Sequence, residues 1–208
     1  LTTTTIKKYG LGFAPETWDA LSRHLLQQGF TEEELLLADV SRHSRRGTLI
    51  DTFRNRVIFP IVDLRGNVIG FGGRVLDDSQ PKYLNTAQTP VFDKGKNLFS
   101  LQFAKNSVTT TLILAEGYMD VIAVHQAGFE NVVATLGTAI TPDQARKISQ
   151  YAKTVIIAYD SDAAGQAATQ KAMRHFSEVG IETKILRMQG AKDPDEYIRK
   201  FGAERFRM

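Results

Sequence analysis

The chain has 208 residues, a net charge of +3 and no cysteine. That length supports one or two domains with a real core, and the missing thiols exclude a disulfide framework and a thiolate zinc site. No apolar run reaches membrane-spanning length and no signal peptide opens the sequence, so a membrane partner is not expected. The four histidines are scattered without metal-ligand spacing. The first residue is Leu1, which suggests a piece of a longer chain. Charge is unevenly spread. Residues 42–105 carry eleven Lys/Arg against five Asp/Glu, residues 1–41 three against six, and residues 106–208 twelve against twelve. A basic middle followed by a neutral stretch with clustered acids suggests a polyanion track beside a metal site.

Residues 1–39 read as mostly helical. Pro15-Glu16 opens an apolar face of Trp18, Leu21, Leu25 and Leu26 that stops at Gly29, and Trp18 is expected in the core. Thr31 followed by Glu34 is a capping-box start for the next helix. From Arg54 the period changes. Val57–Val62 and Val68–Val75 read as two strands joined by a turn at Asp63–Asn67, a β-hairpin with a glycine-rich second arm. Gly70-Phe71-Gly72 is not a dinucleotide loop, because Val75 stands where the third glycine belongs and no helix follows. Glycines inside a strand mark a bulge or a close backbone approach. Arg54, Arg56, Arg74, Lys82, Lys94 and Lys96 surround this hairpin, and Arg54 and Arg56 would share a face if both lay on the strand. Tyr83 and Asn85 lie among the basic residues. Guanidinium and ammonium groups on a rigid sheet suit phosphate oxygens, and an aromatic among them can stack a base.

From Asn106 strands and helices alternate: a strand at Leu112–Ala115, a helix from Asp120 to Ala127, a strand at Val132–Ala134, and a helix opened by Thr141-Pro142-Asp143. A strand at Val155–Tyr159, a helix at Ala163–Glu178 and a strand at Thr183–Arg187 follow. This alternation predicts a parallel sheet with right-handed crossovers. Glu116 ends the first of these strands, Asp160-Ser161-Asp162 ends a later one, and Asp193-Pro194-Asp195 follows the last. Carboxylates collected at the carboxyl edge of such a sheet stand where ligands bind. They cannot all stay ionised without a cation, and hard oxygen donors favour Mg²⁺ or Mn²⁺. Asp160 and Asp162 also read as an N-cap and a first-turn acid, and Asp193 as a cap before Pro194.

Glu116-Gly117-Tyr118-Met119-Asp120, Asp160-Ser161-Asp162 and Asp193-Pro194-Asp195-Glu196 resemble the Toprim module of primases, topoisomerases and some nucleases. Phe53–Ile61, Gly70–Arg74, Pro81–Asn85 and Phe92–Gly95 resemble the basic subdomain of bacterial DnaG-type DNA primase, and the resemblance runs from about Thr2 to Phe201. It implies an α/β fold: an α+β N-terminal subdomain over 1–105 followed by a Toprim-type parallel-sheet subdomain over 106–208. It also implies a cytoplasmic DNA-dependent RNA polymerase that lays short RNA primers on single-stranded DNA from nucleoside triphosphates. By resemblance, Glu116, Asp160 and Asp162 are the catalytic acids, and Asp120, Asp193 and Asp195 support them around Mg²⁺ or Mn²⁺. Arg54, Arg56, Arg74, Lys82, Tyr83, Asn85 and Lys94 handle nucleotide and template. Many members carry Asp-Gly-Asp where this chain has Asp160-Ser161-Asp162, which keeps the carboxylate spacing. A zinc module before Leu1 and a helicase-binding domain after Met208 are expected of a whole primase. Three readings stay open at this level: primase, another Toprim enzyme (nuclease or topoisomerase-like), and a non-catalytic single-stranded DNA binding module. Two roles for Glu116 also stay open, metal ligand and proton carrier.

Overall fold

The computed structural model describes residues 1–207 and divides into two compact units. One consists of Ile6–Ile61 and Asn67–Asp93; the other of Leu1–Thr5, Val62–Gly66 and the chain from Lys94 onward. The elements begin with α1 (Thr3–Tyr9), β1 (Gly12–Ala14), α2 (Ala20–Gln27), α3 (Glu32–Leu37), β2 (Ser41–His43) and β3 (Leu49–Asp51). Then come β4 (Arg56–Val62), β5 (Val68–Val75), β6 (Tyr83–Asn85) and α4 (Leu101–Ala104). The alternating part is β7 (Thr111–Ala115), α5 (Tyr118–Gln126), β8 (Val132–Ala134), α6 (Pro142–Ser149), β9 (Thr154–Ala158), α7 (Ala163–Glu178), β10 (Glu182–Ile185), α8 (Pro194–Phe201) and α9 (Ala203–Phe206).

The first unit is built on a four-stranded sheet in the order β1-β4-β5-β6, with β2 and β3 paired separately as an antiparallel hairpin. Its centre is the two strands of the expected hairpin, β4 and β5, whose connection Val62–Gly66 is counted with the other unit. The turn closes where Gly66, at φ 96°, donates to the Asp63 carbonyl at 3.2 Å. The glycine-rich arm is explained by close approach: a Cβ on Gly73 would lie 2.8 Å from the Phe53 ring and 3.0 Å from Arg56 Cδ. The capping box of α3 is present, Thr31 Oγ1 accepting from Glu34 N at 3.2 Å while Glu34 Oε2 accepts from Thr31 N at 2.7 Å. Three expectations are corrected. No helix opens at Pro15; β1 occupies Gly12–Ala14, and α2 begins only at Ala20. Trp18 therefore lies off the helix, 64% exposed instead of in the core. Nor do Arg54 and Arg56 share a strand face, because β4 starts at Arg56 and Asn55 takes φ 49° between them.

The second unit is the parallel sheet, in the order β10-β9-β7-β8. Leu112, Leu114, Val133, Val155 and Ile157 point to one face and pack with Ala145 and Ile148 of α6 and Ala172 and Phe176 of α7. The fully buried Val121, Ile122 and Val124 of α5 serve the other face, as right-handed crossovers require when the chain reverses direction after β8. On the far side of β8, Phe99 N donates to the Ala134 carbonyl at 2.9 Å and Ala134 N donates back at 3.2 Å.

The start of α6 also anchors the lysine-bearing loop ahead of Phe99. Thr141 and Gln144 form a capping box, with Thr141 N donating to Gln144 Oε1 at 3.0 Å. Thr141 Oγ1 donates to the Gly95 carbonyl at 2.5 Å, and the fully buried Gln144 donates from Nε2 to the Lys94 and Asn97 carbonyls at 2.9 and 2.8 Å. Replacing Gln144 by Leu keeps the volume but leaves buried backbone groups unpaired. Gln144→Leu is expected to cost about 2–4 kcal/mol in denaturant unfolding, with the parallel sheet retained by circular dichroism.

Candidate functional site

The site follows from sheet register. β7 and β9 are parallel neighbours with Ala115 opposite Ala158, so both chains leave the sheet at the same level. After β7 the chain turns to β8 on one side, while β9 lies on the other, and this topological switch opens a crevice at the carboxyl ends of the two strands. Glu116 is the first residue past β7, and Asp160 the second past β9. They meet: Glu116 Oε1 accepts from Asp160 N at 3.1 Å. Asp162 caps α7, its Oδ1 accepting from Gly165 N at 2.8 Å. Cap and cluster member are thus compatible roles for Asp162. The same holds for Asp193, which caps α8 by accepting from Glu196 N at 2.7 Å. The loop after β10 is tied to the loop after β9 by Ser161 N donating to the Lys192 carbonyl at 3.2 Å.

The electrostatics mark these acids as one group. Burial and the neighbouring charge of Asp160 raise the pKa of Glu116, while its bond from Asp160 N opposes the rise. Asp160 is also raised, by burial and then by Asp193 and Asp162, with Lys192 opposing. Asp120, in the first turn of α5, is pushed up to about 7 by burial and then by Asp193, Asp160 and Asp195. Asp195 pairs with Arg199 one helical turn on. Among the described residues no three Asp, Glu or His side chains already surround one point as metal ligands. The fit to a divalent cation is one of donor chemistry: hard carboxylate oxygens, several of them held protonation-prone by burial and then by mutual repulsion that a cation would relieve.

One residue of this site carries no chemistry of its own and gives no signal in the sequence beyond a glycine inside a helix. Gly165 lies in the first turn of α7, where a Cβ would fall 2.1 Å from the Asp160 carbonyl oxygen and 3.0 Å from Glu116 Oε1. The helix can approach the two acids this closely only without a side chain there.

In the other unit, the basic residues fall into two groups. Arg56 is turned inward, 7% exposed, donating from Nη1 to the Pro81 carbonyl at 2.8 Å, and so supports the segment that carries Lys82 and Tyr83. Arg74 stands over the Tyr83 ring at 5.8 Å, and Gly72 pairs with Asn85 across β5 and β6. Lys82 is exposed. Lys94 is exposed too, but belongs to the unit of the parallel sheet. Arg54 lies over the exposed Trp18 ring at 4.4 Å. Together with Arg42, His43, Arg45 and Arg46 they line a pocket of about 590 Å³. Trp18 was expected to be structural; its place ahead of α2, not in it, is what exposes it.

Comparison with known proteins supplies the family. The family model "DNA primase catalytic core, N-terminal domain" matches residues 1–105, and a "Toprim-like" model matches residues 113–198. The chain belongs to the DnaG-type primase family. A DNA primase from Clostridium acetobutylicum is 50% identical over 203 residues, covering 97% of this chain and 34% of that protein. The crystal structure of a DNA primase domain from Pseudomonas aeruginosa superposes with a TM-score of 0.91 at 40% identity, over 100% of this chain and 66% of that one. A DnaG primase catalytic domain bound to single-stranded DNA gives 0.90 at 38% identity, over 100% and 68%. The chain spans about a third of the length of the curated primases it matches. No described helix is long and apolar enough to cross a membrane.

Two outcomes are expected of the carboxylate site. Gly165→Ala should destabilise the unit by about 1–3 kcal/mol in thermal or denaturant unfolding, because main chain and not a flexible side chain must move. For Asp120 the folded-state pKa lies above the unfolded value, so the fold favours the protonated acid and stability falls as pH rises from about 4 to about 7. Melting curves of chelator-treated protein should show a higher Tm at pH 5.5 than at pH 7.5, corresponding to a stability difference on the order of 1 kcal/mol or more, and Asp120→Asn should shrink that difference.

Proposed function

We propose that this chain is the nucleotidyl-transfer core of a primase, extending RNA on a single-stranded DNA template from nucleoside triphosphates. The observation that carries this reading is Glu116 bonded to Asp160 at the switch point of a Toprim-like sheet. In the reaction a 3′-hydroxyl attacks the α-phosphorus of the triphosphate, the bond to pyrophosphate breaks, and the hydroxyl gives up its proton. Such chemistry asks for alignment and for stabilisation of charge on phosphoryl oxygens. Glu116, Asp160 and Asp162 would hold Mg²⁺ or Mn²⁺, with Asp120, Asp193 and Asp195 supporting them. Bound there, the cation supplies charge neutralisation on the phosphates and lowers the pKa of the attacking hydroxyl.

The other unit supplies cations and rings. Arg74, Lys82, Tyr83 and Asn85, on and around β5 and β6, are assigned to nucleotide and template, with Arg56 supporting the segment from beneath. Lys94 is assigned to the same task from its clamped loop. The exposed Trp18 under the Arg54 guanidinium supports a stacking platform for template bases, flanked by Arg42, Arg45 and Arg46 for phosphates.

The test is primer synthesis, with the substitutions made in a full-length context, on a single-stranded template with labelled nucleoside triphosphates and Mg²⁺ or Mn²⁺. Glu116→Gln and Asp160→Asn should each lower incorporation by at least roughly 10²-fold with circular dichroism unchanged. Incorporation at the wild-type level in either variant would remove the assigned site. Metal-dependent cleavage of DNA without nucleotides would replace polymerase by nuclease on the same gel.

A further inference from the structure

Trp18 and Arg54 lie far apart in sequence, and an exposed ring ahead of a helix has no reason of its own to hold one orientation. What holds both is Asp51, the last residue of β3. Its backbone N–H donates to the Trp18 carbonyl at 2.7 Å, and its backbone carbonyl accepts from Arg54 Nη1 at 2.5 Å. Its side chain, 2% exposed as part of the residue, accepts from Leu21 N at 2.9 Å, from Ser22 N at 2.8 Å and from Ser22 Oγ at 2.5 Å. The residue ahead of α2, Asp19, makes no side-chain cap, so the start of this helix is capped from β3 instead. Ser22 is itself 2% exposed and shares a hydroxyl bond with Ser41 of β2 at 2.8 Å.

We propose that Asp51 is the positioning residue of the template platform: its buried carboxylate caps the start of α2 just after Trp18, its backbone N–H holds the Trp18 carbonyl, and its own carbonyl fixes the guanidinium that covers the ring. The inference rests on the reading of Trp18 and Arg54 as a surface for single-stranded DNA. Its physical content is preorganisation. A side chain already held in its bound orientation loses less freedom when a base stacks on it.

Charge makes the sign of the effect diagnostic. Asp51 is an acid beside Arg54, which Arg42 also neighbours, and removing a negative charge from a basic surface strengthens binding of a polyanion if charge is all that matters. Positioning predicts the opposite. The protein holds a single tryptophan, so its emission reports on Trp18 alone.

The experiment titrates the protein with an oligo-dT probe, following Trp18 fluorescence and, separately, the anisotropy of a labelled probe. Three variants are compared with wild type: Asp51→Asn, Trp18→Ala and the double variant. Asp51→Asn is expected to weaken probe binding by roughly tenfold, to shift and broaden the Trp18 emission, and to add little to the loss already caused by Trp18→Ala. Binding as tight as wild type or tighter in Asp51→Asn, with Trp18→Ala weakened, overturns the positioning role and leaves the platform standing. Full binding by Trp18→Ala overturns the platform and the inference with it. If circular dichroism shows that Asp51→Asn does not fold, Ser22→Ala decides in its place, since it deletes one bond to the carboxylate and keeps the charge. Weakened binding with altered emission supports the proposal, and unchanged binding overturns it.

Discussion

The carboxylate site depends on Ala115 and Ala158 lying side by side in a buried parallel sheet. Strands of this kind are apolar on both faces, and their register is set by what packs above and below them. A slip of one residue would turn Leu114 and Ile157 away from the α6–α7 core. Because that is costly, the two strand ends arrive together, and Glu116 reaches the backbone of Asp160. The apolar core thus fixes the distance between acids that would otherwise repel one another.

That repulsion is stored, not avoided. The acids are ringed by helix starts, since Asp162 caps α7 and Asp193 caps α8, and the positive ends of these helices offset part of the charge. Lys192 offsets more of it at Asp160. Burial first, and then the charge that remains uncompensated, keep the pKa of Glu116, Asp160 and Asp120 raised. Gly165 lets a helix start come this close. On the proposed reading a divalent cation would relieve this charge, which is the physical link between the fold and the proposed polymerase chemistry.

The antiparallel unit obeys a different economy. Its cations are divided between support and display: Arg56 is spent beneath Pro81, whereas Arg54 and Arg74 are laid over aromatic rings. A guanidinium over a ring keeps its charge, which is what phosphate binding on the proposed reading asks for. The arrangement explains why the basic residues are spaced irregularly in the chain.

Much of this was legible in the sequence because it is local. Helix α7 was expected at Ala163–Glu178 and is found there, and the capping residues Thr31, Thr141 and Asp193 announced their helices. Alternation of apolar strands and amphipathic helices determined the parallel sheet, and acids following the strands determined where chemistry would gather, since carboxyl ends of parallel strands share one edge. Only the tertiary structure decided what depends on distant partners. It brought Glu116 onto Asp160 rather than merely to the same edge, and it required Gly165 for clearance. It turned Arg56 inward while Trp18 turned outward, against the ordinary habits of a charged and an aromatic side chain. Helical periodicity placed Trp18 on an apolar face that ends up short of it, because Asp51, some thirty residues later, caps the helix at Leu21 and Ser22 and leaves the indole outside.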